Sequence, residues 1–289
     1  MKLTSKIKHI AMYATLGVAT CTFTSCDEET LKSFTTDDTV LALKEALSIG
    51  AQTASENLGQ EGGYLNDLAV RIEAPEEVQT IMKLCSSEKG KAVLSAIGAE
   101  AFDEGNLVTL MNQAAETAAP EAAGIFKTAI TGMSISDGEA ILFGSEHAAT
   151  EYLQEKTSAS LTKTFGKVVT GTFDQVKVSG RSLNDAWSGF TQYYNKIPNL
   201  IQSARNGGTV KRIAVETAFA ALKIYDENLY NNVNSIQQVN TNLGEYVTEK
   251  ALDGLFVKVA DKESGIRHNV AERTSDLLKK VFGRLDTNN

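Results

Sequence analysis

Apolar residues recur every three or four positions through most of this chain, which is the spacing of one face of an α-helix. Only three prolines stand among its 289 residues, and long alternating β-branched runs are missing. Alanine, leucine, lysine and glutamate, which favour helices, are plentiful. We therefore predict an all-α, multi-helix, bundle-like globular domain over residues 38–289, with residues 178–242 as a helical insertion or lobe.

Two prolines help to place helix starts, because proline suits the first turn of a helix and breaks its interior. We expect one helix to open at Pro75 and another at Pro120. The apolar pattern after Ser145 predicts a helix over residues 147–156 and a second one over residues 158–177.

The spacing of apolar residues in the last third of the chain predicts three longer helices. One runs over residues 210–230, and two more close the chain over residues 243–263 and 269–282. Glu263 and Arg267 stand four apart, so a surface ion pair between them is worth a few tenths of a kcal/mol. The expected inner face of the 210–230 helix is Ile213, Ala214, Ala218, Ala221, Leu222 and Tyr225.

The first 26 residues have the three parts of a secretory signal. Lysines mark residues 2–8, residues 10–24 are uncharged and mostly apolar or small, and small residues lead up to Cys26. The apolar part falls short of the roughly 20 residues that a membrane-spanning helix needs. We expect cleavage before Cys26, acylation of that cysteine with palmitate-type chains, and a tether over residues 26–37.

Two alternatives to this lipoprotein signal stay open. Cys21 is a rival attachment site, although threonine is a poor residue before the cut, and a plain signal peptide with an incidental cysteine is the other. The run Asp27-Glu28-Glu29 resembles the export signal of bacterial surface lipoproteins. We expect a cell-envelope protein, anchored to the outer membrane by lipid, with the leaflet open.

The charge balance argues against some partners. The chain has a formal net charge of −8, and loss of residues 1–26, which hold three lysines and no acid, makes it −11. Nucleic-acid binding depends on basic residues that neutralise phosphates, so we expect no nucleic-acid partner. Binding an anionic membrane surface through side chains is equally disfavoured.

Cysteine and histidine are too sparse to mark a catalytic or metal site. With Cys21 removed and Cys26 lipidated, Cys85 is the one remaining thiol, so we expect no internal disulfide. The helical spacing of apolar residues around Cys85 favours a core thiol over a nucleophile. His147 and Glu151 share a helical face, but a metal site needs further ligands. We read His147 as a solvated helix residue and His268 as a loop residue, and expect no cofactor.

Several phrases are shared with one family. Residues 246–256 (YVTEKALDGLF) and 273–283 (RTSDLLKKVFG), with further agreement between residues 43 and 152, resemble the uncharacterised bacterial lipoprotein family catalogued as domain of unknown function 4197. The resemblance spans roughly residues 38–178 and 243–283, whereas residues 204–240 look longer than the family pattern. It implies a helical exported domain and brings no known activity or functional residues.

Seven polar residues lie in or beside the apolar helical segments of these phrases. They either pair with each other and fix helix packing, since buried charges need partners, or line a pocket that holds a ligand or an envelope partner. The seven are Arg71, Asn112, Glu116, Lys250, Asp253, Arg267 and Arg273.

Three functions follow from these features. The first is a non-enzymatic envelope lipoprotein with a binding or structural role. The second is a carrier of an apolar ligand such as lipid, held in a groove beside the alanine-rich faces of residues 107–130. The third is a hydrolase that uses the carboxylates of Glu116 and Asp253.

Overall fold

The computed structural model describes residues 36–102, 106–136, 138–239 and 241–286. Within these ranges the chain is almost entirely helical, which confirms the all-α prediction. The cleavage site, Cys26, Cys21 and most of the predicted tether lie outside them. The helices are α1 (Thr36–Leu58), α2 (Glu76–Ser86), α3 (Glu88–Ile97), α4 (Leu107–Gly132), α5 (Gly138–Leu142), α6 (Ala148–Gly171), α7 (Leu183–Tyr194), α8 (Ile197–Arg205), α9 (Thr209–Tyr225), α10 (Glu227–Asn234), α11 (Leu243–His268) and α12 (Asp276–Phe282).

Four long helices form the centre of the fold. Helix α1 packs on α4 and α11, and α6 packs on the same two helices. Alanines on α4, among them Ala115 and Ala118, are fully buried and let the neighbouring helices approach closely. The rings of Phe126 on α4 and Phe256 on α11 meet edge to face, with centroids 5.3 Å apart.

The shorter helices pack beside this centre. Helices α7 to α10 lie within the predicted insertion, and they pack on α2 and α3, which come from an earlier part of the chain. Helix α9 contacts α3, α8 and α10, and α7 contacts α4. None of the helices in the described ranges has the length and apolar content needed to cross a membrane.

The prediction that Pro120 starts a helix is wrong. Pro120 lies inside α4, which continues for twelve residues beyond it to Gly132. Proline in a helix interior costs about 3 kcal/mol because a backbone hydrogen bond is lost. Buried residues on both sides of it, including Ala119 and Ala122, keep α4 in one piece.

The segments 147–156 and 158–177 are not two helices. Helix α6 is continuous to Gly171, and Thr157 at the expected break donates its hydroxyl hydrogen bond to the carbonyl of Leu153. The chain then makes a small hairpin that the sequence reading missed, with strands β1 (Lys177–Val178) and β2 (Arg181–Ser182). Positive φ angles of 53° at Ser179 and 79° at Gly180 form its tight turn.

The predicted 210–230 helix is wrong in length and in most of the face that it buries. Helix α9 ends at Tyr225, because Asp226 begins α10 by accepting a hydrogen bond from the Leu229 amide at 2.9 Å. Ile213 and Tyr225 are 59% and 62% exposed. The buried face is Val215, Phe219 and Leu222, so Leu222 is the one residue of the predicted face that is fully buried.

The closing helices also differ from the prediction. Helix α11 passes through Gly265 and ends at His268, five residues beyond the predicted end. A 3-10 helix, Val270–Glu272, separates it from α12, and a second one, Gly283–Leu285, follows.

Candidate functional site

An apolar groove runs between α4 and α6. Leu161 of α6 is fully buried at its floor, and Ile125 and Ala129 of α4 are partly exposed along its side. Its volume is about 480 Å³. Small residues leave this room, since a Cβ atom added at Gly124 would meet no atom within 4 Å.

The groove continues into a neighbouring cavity that is more polar. This second part has a volume of about 410 Å³ and shares Thr128, Ala129 and Ser160 with the first. It ends at Tyr152 and Lys156, where the Lys156 ammonium lies 5.4 Å from the centre of the Tyr152 ring.

The Lys156 ammonium stays charged at neutral pH. A hydrogen bond from its Nζ to Glu155, 2.6 Å long, raises the pKa of Lys156. The Tyr152 hydroxyl donates a hydrogen bond to the Ser134 carbonyl at 2.7 Å. The whole groove is therefore apolar at one end and carries a cation and a phenol at the other.

The structure divides the seven polar residues into three groups. In the first, Asn112 and Glu116 hold residues 62–74 against α4. Asn112 accepts a hydrogen bond from the Ile72 amide and donates one to the Ile72 carbonyl, both at 2.9 Å. Glu116 accepts from the amides of Tyr64 and Leu65 at 3.1 and 3.0 Å.

Tyr64 and Arg71 belong to the segment that this first group holds. The Tyr64 hydroxyl donates to the Ala251 carbonyl at 2.7 Å, and burial followed by the charge of Glu116 raises the pKa of Tyr64. Arg71 is not bonded to Asn112 or Glu116, and its Nε lies 3.5 Å from Glu73.

The second group is an exposed pair on α11. Lys250 Nζ lies 3.2 Å from Asp253 Oδ2, and both side chains are about half exposed. Glu116 is buried and bonded to backbone amides, so the two carboxylates that the hydrolase hypothesis paired have separate partners.

The third group is a buried network where α11 meets α5 and α6, and its centre is Glu263. This carboxylate is 1% exposed and accepts hydrogen bonds from the Ala149 and Thr150 amides at 3.0 and 2.7 Å. It also accepts from the Thr150 hydroxyl and from Arg267 Nε, at 2.7 and 2.8 Å. Glu263 therefore satisfies the open N-terminus of α6 from another helix.

The two arginines extend this network to the end of the chain. Arg267 donates to the Leu142 and Ile141 carbonyls at 2.6 and 3.1 Å. Arg273 donates to the carbonyls of Ile266 and Arg267, and its guanidinium pairs with Asp286 at 2.6 Å. Glu263 and Arg267 do meet, and both side chains are buried, so the few tenths of a kcal/mol given for an exposed pair do not apply.

Sequence reasoning underrated Glu263. Two sequence features pointed to it: its spacing of four residues from Arg267, and its place between the apolar residues Val259 and Ile266, both of which are buried in the structure. Helix α11 continues through Gly265, so Glu263 and Arg267 lie on one face of the same helix.

The histidines and Cys85 lie apart from the groove. His147 stands at the start of α6 and is half-buried, and His268 Nδ1 lies 3.0 Å from the Ser264 carbonyl and 3.9 Å from Glu146. The prediction that His268 lies in a loop is wrong, since it is the last residue of α11. Cys85 Sγ accepts from the Phe102 amide at 3.3 Å. Across the described residues, no three His, Cys, Asp or Glu side chains are grouped to hold a metal ion.

Comparison with known proteins identifies the family. Residues 33–227 and 209–283 match the model of a family described as protein of unknown function (DUF4197). The two matches overlap at residues 209–227, which lie inside the segment expected to be longer than the family pattern. They also include residues 179–208, which the resemblance noted from the sequence did not cover. No curated protein and no solved structure matches the chain significantly. Because the matches cover most of its length, the chain belongs to the DUF4197 family.

Proposed function

We propose that this protein is a lipid-anchored binding protein of the cell envelope, and that the α4–α6 groove holds the acyl chain of an amphiphilic ligand. The observation that carries the proposal is the groove itself, about 480 Å³ at its apolar end and continuous with a cavity of about 410 Å³ that ends at Lys156. Each part falls within the roughly 300–1,000 Å³ of typical small-molecule sites.

The length of the groove suits an acyl chain. Its lining on α4 extends from Glu121 to Ser134 just past the helix end, which at about 1.5 Å per residue is roughly 20 Å. Each CH2 group buried there contributes about 0.8 kcal/mol before the cost of association. Ile125, Ala129 and Leu161 supply the apolar contacts.

The charge distribution supports an anionic or polar head. Lys156 stands at the end of the groove opposite Ile125, and its ammonium, which gives one hydrogen bond to Glu155, has further N–H groups to donate. The Tyr152 hydroxyl beside it already donates to the Ser134 carbonyl, so its oxygen can only accept. An acyl carboxylate or phosphate placed there would meet a cation, while its chain runs toward Gly124.

The leader supports the placement in the envelope. A basic start, an uncharged segment and small residues before Cys26 are the features on which lipid anchoring rests. Several acyl chains on this cysteine give stable attachment, since a single chain is marginal. Anchoring at the outer membrane, in either leaflet, would hold the groove close to amphiphiles.

The test is binding of cis-parinaric acid, a fluorescent fatty acid, to the purified full-length protein. We expect saturable binding that Gly124→Leu weakens by about tenfold or more, because the new side chain fills the groove. The variant is expected to fold, since a Cβ at Gly124 meets nothing within 4 Å.

Gly171→Leu is the matched control. Gly171 is the last residue of α6, lies outside the groove lining, and also has open space around an added Cβ. Its affinity for cis-parinaric acid should equal that of the wild type. Absence of saturable binding, or equal binding by Gly124→Leu, would reject the acyl site and leave a structural role.

A further inference from the structure

Helix α9 carries an exposed apolar face on the side that points away from the rest of the fold. Val210, Ile213 and Ile224 are 84%, 59% and 90% exposed. They lie opposite the buried side of the helix, which packs on α3, α8 and α10. Scattered exposed apolar residues are common, but several of them on one face of one helix mark an interaction surface.

The exposed residues follow the spacing of a coiled coil. The outer face of α9 consists of Val210, Ile213, Thr217, Ala220 and Ile224, all of which are exposed. These positions are separated by three, four, three and four residues. Side chains at such positions interlock with those of a second helix. The outer face therefore has the pattern that receives another α-helix.

The pattern reads the same in both directions along the helix, which suits a second copy of α9 running antiparallel. A two-fold axis beside residues 218 and 219 would set Ile213 against Ile224 of the second copy, and Thr217 against Ala220. Such reciprocity is what a two-fold interface requires, because each contact occurs twice with the roles exchanged. The large side chains would meet near the ends, and the small ones would let the helices approach in the middle.

The charges along one edge of the outer face fit the same arrangement. Glu216 and Lys223 stand on this edge, seven residues apart. In an antiparallel pair, Glu216 of one copy would lie close to Lys223 of the other, twice by symmetry. A parallel pair would set Glu216 beside Ala221 instead. The charges therefore favour the antiparallel orientation.

Contacts within the chain use only part of each of these two charges. Glu216 Oε1 accepts a hydrogen bond from Arg205 Nε at 3.0 Å. Lys223 Nζ lies 3.9 Å from Glu227 Oε1, which is longer than a hydrogen bond, and 5.5 Å from the centre of the Tyr230 ring. The side chains of Glu216 and Lys223 are more than half exposed, so each can meet a further charge.

A membrane surface fits the outer face less well than a second copy does. Amphipathic helices that lie on membranes are rich in lysine and arginine on their polar side. Here the carboxylate of Glu216 stands at the edge of the apolar residues, and the chain has a net charge of −8. Anionic lipids would repel both.

We infer that α9 is a self-association surface, through which two copies of this chain pair by their outer faces in antiparallel orientation. The surface is separate from the α4–α6 groove, whose lining comes from those two helices and the residues just after α4. Self-association therefore leaves the groove open.

Sedimentation equilibrium of the purified full-length protein, in a detergent matched to the solvent density, measures the mass of the protein alone. We expect a reversible equilibrium between monomer and dimer. Ile224→Asp should raise the dissociation constant about tenfold or more, because each dimer would then bury two carboxylates against apolar side chains. Leu68→Asp is the matched control. Leu68 is 84% exposed and lies outside α9, so this variant should dimerise like the wild type.

Cysteine cross-linking tests the orientation in a Cys85→Ser background. The double variant I213C/I224C should form a covalent dimer on oxidation, because the two positions would meet across the axis. I213C alone and I224C alone should form little of it. In the antiparallel pair each of these positions lies about 16 Å along the helix from its own counterpart, at about 1.5 Å per residue. Cys21 and Cys26 are the same in all three variants.

The inference is overturned by a monomer at every protein concentration, by equal dissociation constants for Ile224→Asp and Leu68→Asp, or by single variants that cross-link as efficiently as the double one. Binding of a monomeric protein to phosphatidylethanolamine–phosphatidylglycerol vesicles, lost in Ile224→Asp, would assign the outer face to a membrane surface instead. Gly124→Leu should dimerise like the wild type, so the outcome is independent of the acyl-chain proposal.

Discussion

A single buried carboxylate has more partners than any other acid described above. Glu263 takes hydrogen bonds from two amides and a hydroxyl at the start of α6, and from Arg267 on its own helix. A charge in the protein interior is tolerated only when its hydrogen-bonding capacity is satisfied. Glu263 therefore joins α11 to α6 as well as balancing Arg267.

Removal of this carboxylate should destabilise the fold strongly. Glu263→Ala leaves Arg267 and the α6 amides without their acceptor, and loss of one partner of a buried pair costs about 3–5 kcal/mol. Urea unfolding followed by circular dichroism measures the change. Glu249→Ala, at an exposed position of the same helix, should stay within about 0.5 kcal/mol of the wild type. A loss below about 1 kcal/mol at Glu263 would contradict this role.

At the scale of elements, two helical glycines show how closely their helices pack against the neighbouring parts of the chain. A Cβ at Gly124 on α4 would stand in open space beside the groove. A Cβ at Gly254 on α11 would lie 2.7 Å from Tyr64 Cε1 and 3.2 Å from Val70 Cβ. Helix α11 therefore packs closely on the 62–74 segment, whereas α4 leaves a gap beside α6.

The same substitution at these two helical glycines should have opposite effects. Gly124→Ala should stabilise the protein by about 0.5–1 kcal/mol, because alanine loses less backbone entropy in a helix. Gly254→Ala should destabilise it by about 1–3 kcal/mol, because the Tyr64 ring must shift. Thermal unfolding of the two variants beside the wild type checks both signs, and stabilisation by Gly254→Ala would show that the contact is loose.

Element boundaries illustrate the limits of sequence patterns. The break after Tyr194 and the Gly207-Gly208 joint were predictable, since turn-forming residues stand there. Pro120 within α4 was not predictable, because burial on both sides of it outweighs its local cost. Most of the buried face of α9 was missed for a related reason, although Leu222 was identified correctly. Ile213 is as apolar as Val215, and position against α3 decides which of them is covered.

At the scale of the whole molecule, four long helices carry the core and shorter helices pack beside it. The groove lies between two of the long helices, α4 and α6. This space therefore combines apolar contacts with the charged Lys156 side chain at one end.

The proposed attachment to a membrane also concerns the whole molecule, and the three cysteines allow it to be tested. Incorporation of an alkyne-palmitate label should be lost in Cys26→Ser, and this variant should leave the membrane fraction for the soluble one. Cys21→Ser and Cys85→Ser should keep both the label and the membrane association. If the label is kept in Cys26→Ser and lost in Cys21→Ser, the attachment site is Cys21 and not Cys26.

The sequence by itself determined the helical class and the family, because both follow from local periodicity and short phrases such as residues 246–256. It also drew attention to Arg267 and Arg273, whose charges stand beside apolar stripes. Only the tertiary structure decided that Glu263 is the buried partner of Arg267, that Arg273 pairs with Asp286, and that α4 and α6 leave a groove. These features depend on distances between residues far apart in the chain, and helical periodicity specifies a face without specifying what covers it.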